Sequence, residues 1–256
     1  MPKMPVIFVG HGSPMNAIQD NQYSRSWREM EKKIPKPKAI ISISAHWYTK
    51  GTKIMNESNP KTIYDMYGFP QELYEITYNT PGNPTLAEEA KRLITKPSVF
   101  DNSWGIDHGT WSVLVHMYPE RDIPVFQISI DAAASPEVHY QIGKELYSLR
   151  SQGVLLFGTG NIVHNLRSID WNMKNKGYDW AYEFDDYIKE NIEKGNHQNV
   201  INYLNFGVAA KLSVPTPDHF YPILYILGAS DEKDKISIYN NTSMMGSLSM
   251  TSYLFE

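Results

Sequence analysis

Three histidines follow apolar, β-branched runs of the sequence. His11 comes directly after VIFVG, His46 directly after AIISISA, and His164 shortly after GVLLFGTG. Because ligands in open α/β sheets bind beyond the carboxyl ends of the strands, these imidazoles are expected to face one crevice. A fourth, His219 in PTPDHFYP, lies at a predicted helix start behind two prolines. The pattern indicates a metal site built from imidazoles.

The available ligand types narrow the choice of metal. The chain has 8 histidines and no cysteine, which excludes disulfides, thiolate ligands and a cysteine nucleophile. Clustered neutral imidazoles suit zinc, iron or copper rather than magnesium or calcium. Two histidines with a carboxylate are typical of non-haem Fe(II) oxygenases, and three histidines are also a catalytic zinc set. Spacing leaves both open, because the ligands come from distant segments.

Other residues could support such a site or serve only the fold. His108 is predicted to lie in a loop, WGIDHGTW, where Asp107 could orient it. His116 falls on the apolar face of a predicted helix and is expected to be packed. His139 and His197 lie in polar helical stretches and are expected to be solvated.

Close to His11 in the sequence, Ser13 and Asn16 could bind the outer nitrogen that a metal-bound histidine presents, although both residue types also form turns. Residues 50–84 are rich in Pro, Tyr and Gly with little periodicity, which is typical of a functional loop. Three of its aromatic residues could line a pocket: Tyr67, Phe69 and Tyr74.

The elements that must position these residues alternate between strand and helix. Strands are predicted at 5–10, 39–45, 123–130 and 153–160. Helices are predicted at 24–33, 85–94, 111–118, 136–149, 178–194 and 218–227, the last capped by Asp218. Residues 236–255 are predicted to form two strands around a polar turn. This alternation favours an α/β sheet with helices on its faces.

Composition excludes several classes of protein. The net charge of −4 and the pI near 6.1 give no basic field for nucleic acid. No apolar run approaches the roughly 18 residues that span a bilayer, and the first residues lack a signal-peptide core. The sequence therefore predicts a cytoplasmic enzyme without a nucleic-acid or membrane partner, and it leaves the oligomeric state open.

Six motifs occur in the order of a known family: GHGSPMNAI, SAHWYT, DMYGFPQELYEITYNTPGNP, GIDHGTWSVLVHMYP, GTGNIVHNLR and PTPDHFYPILYILGA. Together they resemble the class III extradiol ring-cleavage dioxygenases, in particular the 4,5-DOPA dioxygenase-like branch. The resemblance implies a mixed central sheet within one catalytic domain, residues 1–256. It also implies one divalent metal per chain, Fe(II) for dioxygenase activity or Zn(II) as isolated.

The resemblance also implies roles for the histidines. His11 and His46 match metal ligands, and the third ligand falls near the start of the last helix. The wider family usually has a glutamate there, so Asp218 and His219 are both open, with His219 favoured by the closer branch. His164 matches the acid–base residue and is also a possible fourth ligand, while His108 matches a catalytic pocket residue.

The implied reaction is the opening of a catechol such as DOPA by O2 to give a muconic semialdehyde. Two alternatives use the same residues differently. One is a zinc-dependent hydrolase in which His164 acts as base toward a metal-bound water. The other is a non-catalytic binding protein resembling Memo, although such a protein has no chemical need for four clustered histidines.

Overall fold

The computed structural model describes residues 3–256 and builds them around a six-stranded sheet. The strands are β1 (Val6–Gly10), β2 (Ala39–Ser44), β3 (Tyr48–Thr49), β4 (Thr52–Ile54), β5 (Ser98–Phe100), β6 (Val125–Gln127), β7 (Ile130–Asp131), β8 (Val154–Gly160), β9 (Ile236–Tyr239), β10 (Ser243–Met244), β11 (Leu248–Ser249) and β12 (Ser252–Phe255). The helices are α1 (Gln22–Glu31), α2 (Pro84–Leu93), α3 (His108–Met117), α4 (Pro136–Leu146), α5 (Asp179–Glu193), α6 (His197–Ile201), α7 (Val208–Ser213) and α8 (Tyr221–Ala229). Single 3-10 turns occur at Pro14–Ala17, Gln71–Glu75, Tyr147–Gln152, Leu166–Ser168 and Tyr203–Phe206.

The central sheet is mixed, as expected, with the strand order β6, β2, β8, β1, β12, β9. β6, β2, β8 and β1 run parallel, while β12 runs antiparallel to both β1 and β9. Every residue of β1, β2 and β8 is buried, which explains their nearly continuous apolar sequences. These three neighbouring strands precede the predicted site histidines, so their carboxyl ends meet at one edge of the sheet.

Helices cover both faces of the sheet. Successive side chains of a strand point to opposite faces. In β8, a Cβ on Gly158 would meet Ile226 of α8, whereas the hydroxyl of Thr159 donates to the carbonyl of Gly109 in α3. Helices α8 and α3 therefore pack on opposite faces, and their first turns flank the carboxyl end of β8.

Two strand predictions require correction. The single strand expected at 123–130 is divided into β6 and β7, because the chain leaves the central sheet after β6 and β7 pairs with β3 instead. In residues 236–255, the two expected strands are β9 and β12, and they do pair with each other. The polar turn between them, however, contains a small hairpin of β10 and β11.

The helix predictions differ mainly at the ends. Asp218 does not cap the last helix: α8 begins at Tyr221, and the Asp218 carboxylate contacts Nδ1 of His219 instead. The helix expected to end at residue 149 stops at Leu146 and continues as a 3-10 turn. The short helices α6 and α7 had no predicted counterpart. In residues 3–256, every helix is too short or too polar to span a lipid bilayer.

Candidate metal centre

Five imidazoles meet at the carboxyl ends of β1, β2 and β8. His11 directly follows β1, His46 comes just after β2, and His164 lies in the loop after β8. His219 approaches from the segment before α8, and His108 is the first residue of α3 rather than part of a loop. The structure thus brings all of the predicted site histidines together, although they come from five separate segments of the chain.

Three of these rings converge through their nitrogens. One ligand atom from each of His11, His46 and His219 lies within 4.8 Å of the other two. The Nε2 atoms of His11 and His46 are 3.2 Å apart. The ring centroid of His219 lies 5.4 Å from that of His11 and 5.0 Å from that of His46. Asp218 is not part of this group, although its sequence position had left it open as the third ligand.

The outer nitrogen of His11 is fixed by Thr159. The single hydroxyl proton of Thr159 is donated to the carbonyl of Gly109 at 2.6 Å. The same oxygen lies 2.9 Å from Nδ1 of His11, so it must accept a proton from that nitrogen. Nε2 of His11 therefore carries the free lone pair that faces His46. Ser13 and Asn16 do not have this role: Ser13 caps a 3-10 turn, and Asn16 binds the backbone carbonyl of His11.

Asp218 fixes His219 in the same way. Its carboxylate contacts Nδ1 of His219, which leaves Nε2 of that ring available. Burial opposes ionisation of Asp218, but the hydrogen bond and the charge of His219, with smaller contributions from Thr216 and His164, together hold the pKa of the carboxyl group below its ordinary value. Asp218 therefore orients the ring of His219 through Nδ1, on the side away from the other two converging rings.

Burial keeps three of these imidazoles neutral. His11 is 1% exposed, and removal from water lowers the pKa of His11, His46 and His164 well below that of a free imidazole. The neighbouring imidazoles lower these pKa values further. Neutral imidazoles are the form that binds metals, and lone pairs this close repel unless a cation lies between them. The donor set therefore fits a divalent transition metal.

His164 has a different relation to the group. Its ring is stacked on that of His219, with centroids 3.4 Å apart and planes only 5° from parallel. Its backbone N–H donates to the carbonyl of Ser213 at 2.9 Å, which ties the loop after β8 to α7. His164 thus lies beside the three converging rings.

A buried carboxylate anchors the start of α3. Asp107 is fully buried and accepts hydrogen bonds from Ser44, Trp104, Gln127 and the backbone of Thr110. Burial raises the pKa of its carboxyl group and Asp65 adds to this, while the side-chain donors oppose both effects. Asp107 therefore fixes the helix that begins with His108 instead of contacting its ring, which corrects the sequence interpretation.

Asp65 is the site residue that the sequence analysis missed. Its Oδ1 accepts the backbone N–H of His108 at 2.9 Å and lies 3.0 Å from Nδ1 of the same residue. Its Oδ2 lies 3.3 Å from Nδ1 of His46. The expectation of a functional loop in 50–84 indicated this segment, but it pointed to the aromatic residues of the loop rather than to its carboxylate.

Close backbone approaches explain two glycines of the site. A Cβ on Gly160 would lie 2.1 Å from the carbonyl oxygen of His219, and a Cβ on Gly109 would lie 2.7 Å from the ring of His46. Any larger residue would displace the histidine beside it.

The remaining histidines lie outside the cluster. His116 packs against the ring of Trp27, as expected. His139 was expected to be solvated but is 0% exposed, because its ring packs between α4 and α8 against Tyr221 and Tyr225. His197 is half-buried beside Tyr140 instead of fully solvated.

The aromatic residues of the loop differ among themselves. Tyr67 is 92% exposed, whereas Phe69 packs against the core and its backbone N–H donates to the hydroxyl of Tyr74. The hydrogen bond between Phe69 and Tyr74 joins two residues of the same loop, so these side chains pack the loop against itself. A role for these rings in a pocket stays a prediction.

Comparison with known proteins gives consistent matches over nearly the whole chain. Residues 3–255 match the family described as the catalytic LigB subunit of aromatic ring-opening dioxygenase. A 4,5-DOPA dioxygenase extradiol of Escherichia coli K12 is 44% identical over 255 residues, covering 98% of this chain and 94% of that relative. A protein of the same name from Beta vulgaris is 37% identical, covering 97% and 95%. The crystal structure of an uncharacterized Escherichia coli K12 protein matches with a TM-score of 0.87 and 39% identity, covering 99% of this chain and 100% of the other.

Proposed function

Because this chain belongs to the LigB family of aromatic ring-opening dioxygenases, we propose that its histidine cluster opens the ring of a catechol such as DOPA. The chain is an extradiol dioxygenase, so its substrates are a small aromatic molecule and O2. The choice of DOPA is supported by the relatives named for that substrate. The observation that carries the proposal is the convergence of His11, His46 and His219 with His164 beside them.

The enzymes of this family depend on a metal, and we propose His11, His46 and His219 as its ligands. Each of these rings has its Nδ1 directed at an oxygen of another side chain, which leaves Nε2 for the metal. A bound divalent metal would supply Lewis acidity that lowers the pKa of a catechol hydroxyl. We propose Fe(II) for the active enzyme, with Zn(II) as the metal retained on isolation.

We propose that His164 is the acid–base residue rather than a fourth ligand. The lone pair of a ligating nitrogen lies in the plane of its ring. Because His164 and His219 are stacked nearly parallel, the in-plane lone pairs of the two rings do not converge on one point. Burial keeps His164 neutral, and the charge of nearby Asp218 favours its protonated form. A ring nitrogen of His164 can therefore accept a hydroxyl proton and return it as the ring opens.

We assign His108 to the substrate side of the site. Its ring lies 3.9 Å from that of His46, measured between centroids, and it is 5% exposed. With Nδ1 directed at Asp65, the remaining ring nitrogen is available to a substrate hydroxyl.

The overall reaction balances without a further reductant. One carbon–carbon bond beside the two hydroxyl-bearing carbons breaks, and both atoms of O2 enter the product as a carboxylate and an aldehyde. The product is a muconic semialdehyde, a conjugated and coloured compound. We also propose that residues 1–256 form a single catalytic domain, since the site needs His11 near one end of the sequence and His219 near the other.

The test is anaerobic reconstitution with Fe(II), followed by DOPA and then air. Oxygen uptake and visible absorbance are recorded together. We expect one O2 consumed per coloured product formed. Absence of uptake with iron bound, across several catechols, would contradict the proposed reaction and favour a zinc-dependent hydrolase that uses the same histidines.

A further inference from the structure

A single carboxylate contacts two imidazoles of the site. One oxygen of Asp65 lies 3.3 Å from Nδ1 of His46. The other accepts the backbone N–H of His108 and lies 3.0 Å from Nδ1 of the same residue, a charged contact outside hydrogen-bond geometry. Its side chain is 9% exposed, so little water competes for these contacts. The two rings otherwise belong to different elements: His46 follows β2, and His108 begins α3.

The loop that carries Asp65 is itself fastened to the start of α3. The backbone N–H of Ile63 donates to the carbonyl of Ile106 at 3.0 Å, and the N–H of Ile106 donates to the carbonyl of Lys61 at 2.8 Å. The indole N–H of Trp111, in the first turns of α3, donates to the carbonyl of Ile63 at 2.9 Å. These three hydrogen bonds, together with the one that Asp65 accepts from the backbone of His108, fix the loop on the helix.

The position of Asp65 determines which nitrogens the two rings can use. An ionised carboxylate presents negative charge and lone pairs but no proton, so an Nδ1 about 3 Å from it is favoured as N–H rather than as a second lone pair. The proton on Nδ1 leaves the lone pair of each neutral ring on Nε2. In His46 that atom is the one 3.2 Å from Nε2 of His11.

We propose that Asp65 is a positioning residue that orients the metal ligand His46 and the substrate-side His108 together, by holding both as their Nδ1–H tautomers. This inference rests on the proposed function for the ligand role of His46. The irregular loop within residues 50–84 then contributes to the site through the Asp65 carboxylate, which contacts both rings. The spacing of His46, Asp65 and His108 is also that of groups that could hold a metal ion, so counting the bound metal is part of the test.

The first experiment needs no mutation. Chain labelled with ¹⁵N at histidine is loaded with Zn(II), a diamagnetic probe metal, and the imidazole nitrogens are assigned by NMR. We expect one zinc per chain and His108 in the Nδ1–H form. His108 found in the Nε2–H form would overturn the inference. Two zinc ions per chain would also overturn it, because His46, Asp65 and His108 would then be ligands of a second metal.

The second experiment compares Asp65→Asn with Asp101→Asn. The amide that replaces the Asp65 carboxylate keeps one acceptor and gains a donor, so it cannot serve both rings. Asp101 is a matched control, since its carboxylate pairs with Lys53 rather than with an imidazole. Zn(II) affinity is measured by competition with a chromophoric chelator, and the tautomer of His108 by NMR.

We expect Asp65→Asn to weaken Zn(II) binding by about 10- to 100-fold, the usual effect of removing an outer partner of a ligand histidine. We also expect loss of the pure Nδ1–H form of His108. Asp101→Asn should change neither readout. If Asp65→Asn changes neither, the inference is wrong. Because both readouts are independent of ring cleavage, a failed oxygen-uptake assay would overturn the proposed reaction and leave this role of Asp65 intact.

Discussion

The imidazole rings of His164 and His219 lie face to face, with centroids 3.4 Å apart and planes 5° from parallel. This stacking supports different roles for the two rings, which the sequence alone left open. His219 presents its free nitrogen toward His11 and His46, while His164 lies alongside as a neutral ring. Loss of the His164 ring and loss of the His219 ring should therefore have different effects on the protein.

Replacing His164 by alanine should slow ring cleavage without emptying the metal site. We expect kcat to fall by about 10²- to 10⁴-fold, the usual contribution of an acid–base group. Metal content is measured by elemental analysis beside the rate. His197 is a half-buried histidine outside the cluster, so His197→Gln should retain both the bound metal and the rate of ring cleavage. Loss of metal from His164→Ala would instead identify His164 as a ligand.

The identity of the third ligand can be tested with two neighbouring residues. His219→Ala should lose most of its bound metal, as should His11→Ala and His46→Ala, because each removes a converging nitrogen. Asp218→Asn should retain the metal with about 10- to 100-fold weaker affinity, since Asp218 only supports the ring of His219. Elemental analysis after dialysis measures the first effect, and chelator competition the second. An empty site in Asp218→Asn together with a filled one in His219→Ala would reverse the assignment.

Thr159→Val should weaken both the metal site and the fold. The variant keeps the shape of the side chain but leaves Nδ1 of His11 and the carbonyl of Gly109 without their partner. We expect a loss of about 1–3 kcal/mol in the free energy of unfolding and weaker Zn(II) binding. Thr110→Val is the control, because its buried hydroxyl pairs with Ser42 and contacts no imidazole. Equal metal affinities in the two variants would show that Thr159 does not orient His11.

Asp185 should make the fold less stable as pH rises from 4 to 7. It is buried in α5 and accepts hydrogen bonds from Ser249 and Thr251, and burial raises its pKa from 3.8 to about 6. Well below pH 3.8 the group is protonated in both the folded and the unfolded chain, and at pH 4 the unfolded chain is already about half ionised. As pH rises toward 6 mainly the unfolded chain ionises, so the free energy of unfolding falls by about 3 kcal/mol over the whole titration and by about 2 kcal/mol between pH 4 and 7.

The variant Asp185→Asn removes this titration. Urea unfolding at pH 4 and pH 7 should show wild type losing about 2 kcal/mol relative to the variant, because other groups cancel in the comparison. Ser249→Ala keeps the carboxyl group and removes a donor that lowers its pKa, so it should lose at least as much stability with rising pH as wild type does. A difference between wild type and Asp185→Asn that does not change with pH would show that the carboxyl group titrates alike in both states.

Local patterns predicted the parts of the site that lie on the sheet. The apolar runs before His11, His46 and His164 are buried parallel strands, so their ends could be recognised from the sequence alone. The helix starts were less predictable. Asp218 has the residue type of an N-cap, but its carboxylate contacts His219 and the helix begins three residues later, at Tyr221.

The groups behind the histidines could not be predicted in this way. Thr159 lies within a strand, and only the tertiary fold places its hydroxyl between His11 and Gly109. Asp65 lies in a loop without periodicity, and its contacts depend on how that loop packs against α3. The burial of His139 likewise follows from the packing of α4 on α8, which no local pattern reports.

The pairing of β1 with β12 has a consequence for biosynthesis. Val6 lies opposite Phe255, so β1 lacks one sheet neighbour until about 250 further residues are made. At roughly 5–20 residues per second, that delay lasts on the order of tens of seconds. Through this interval the edge of β1 that faces β12 has no strand to pair with on the nascent chain. The histidine cluster is likewise incomplete until His219 is made, more than 200 residues after His11.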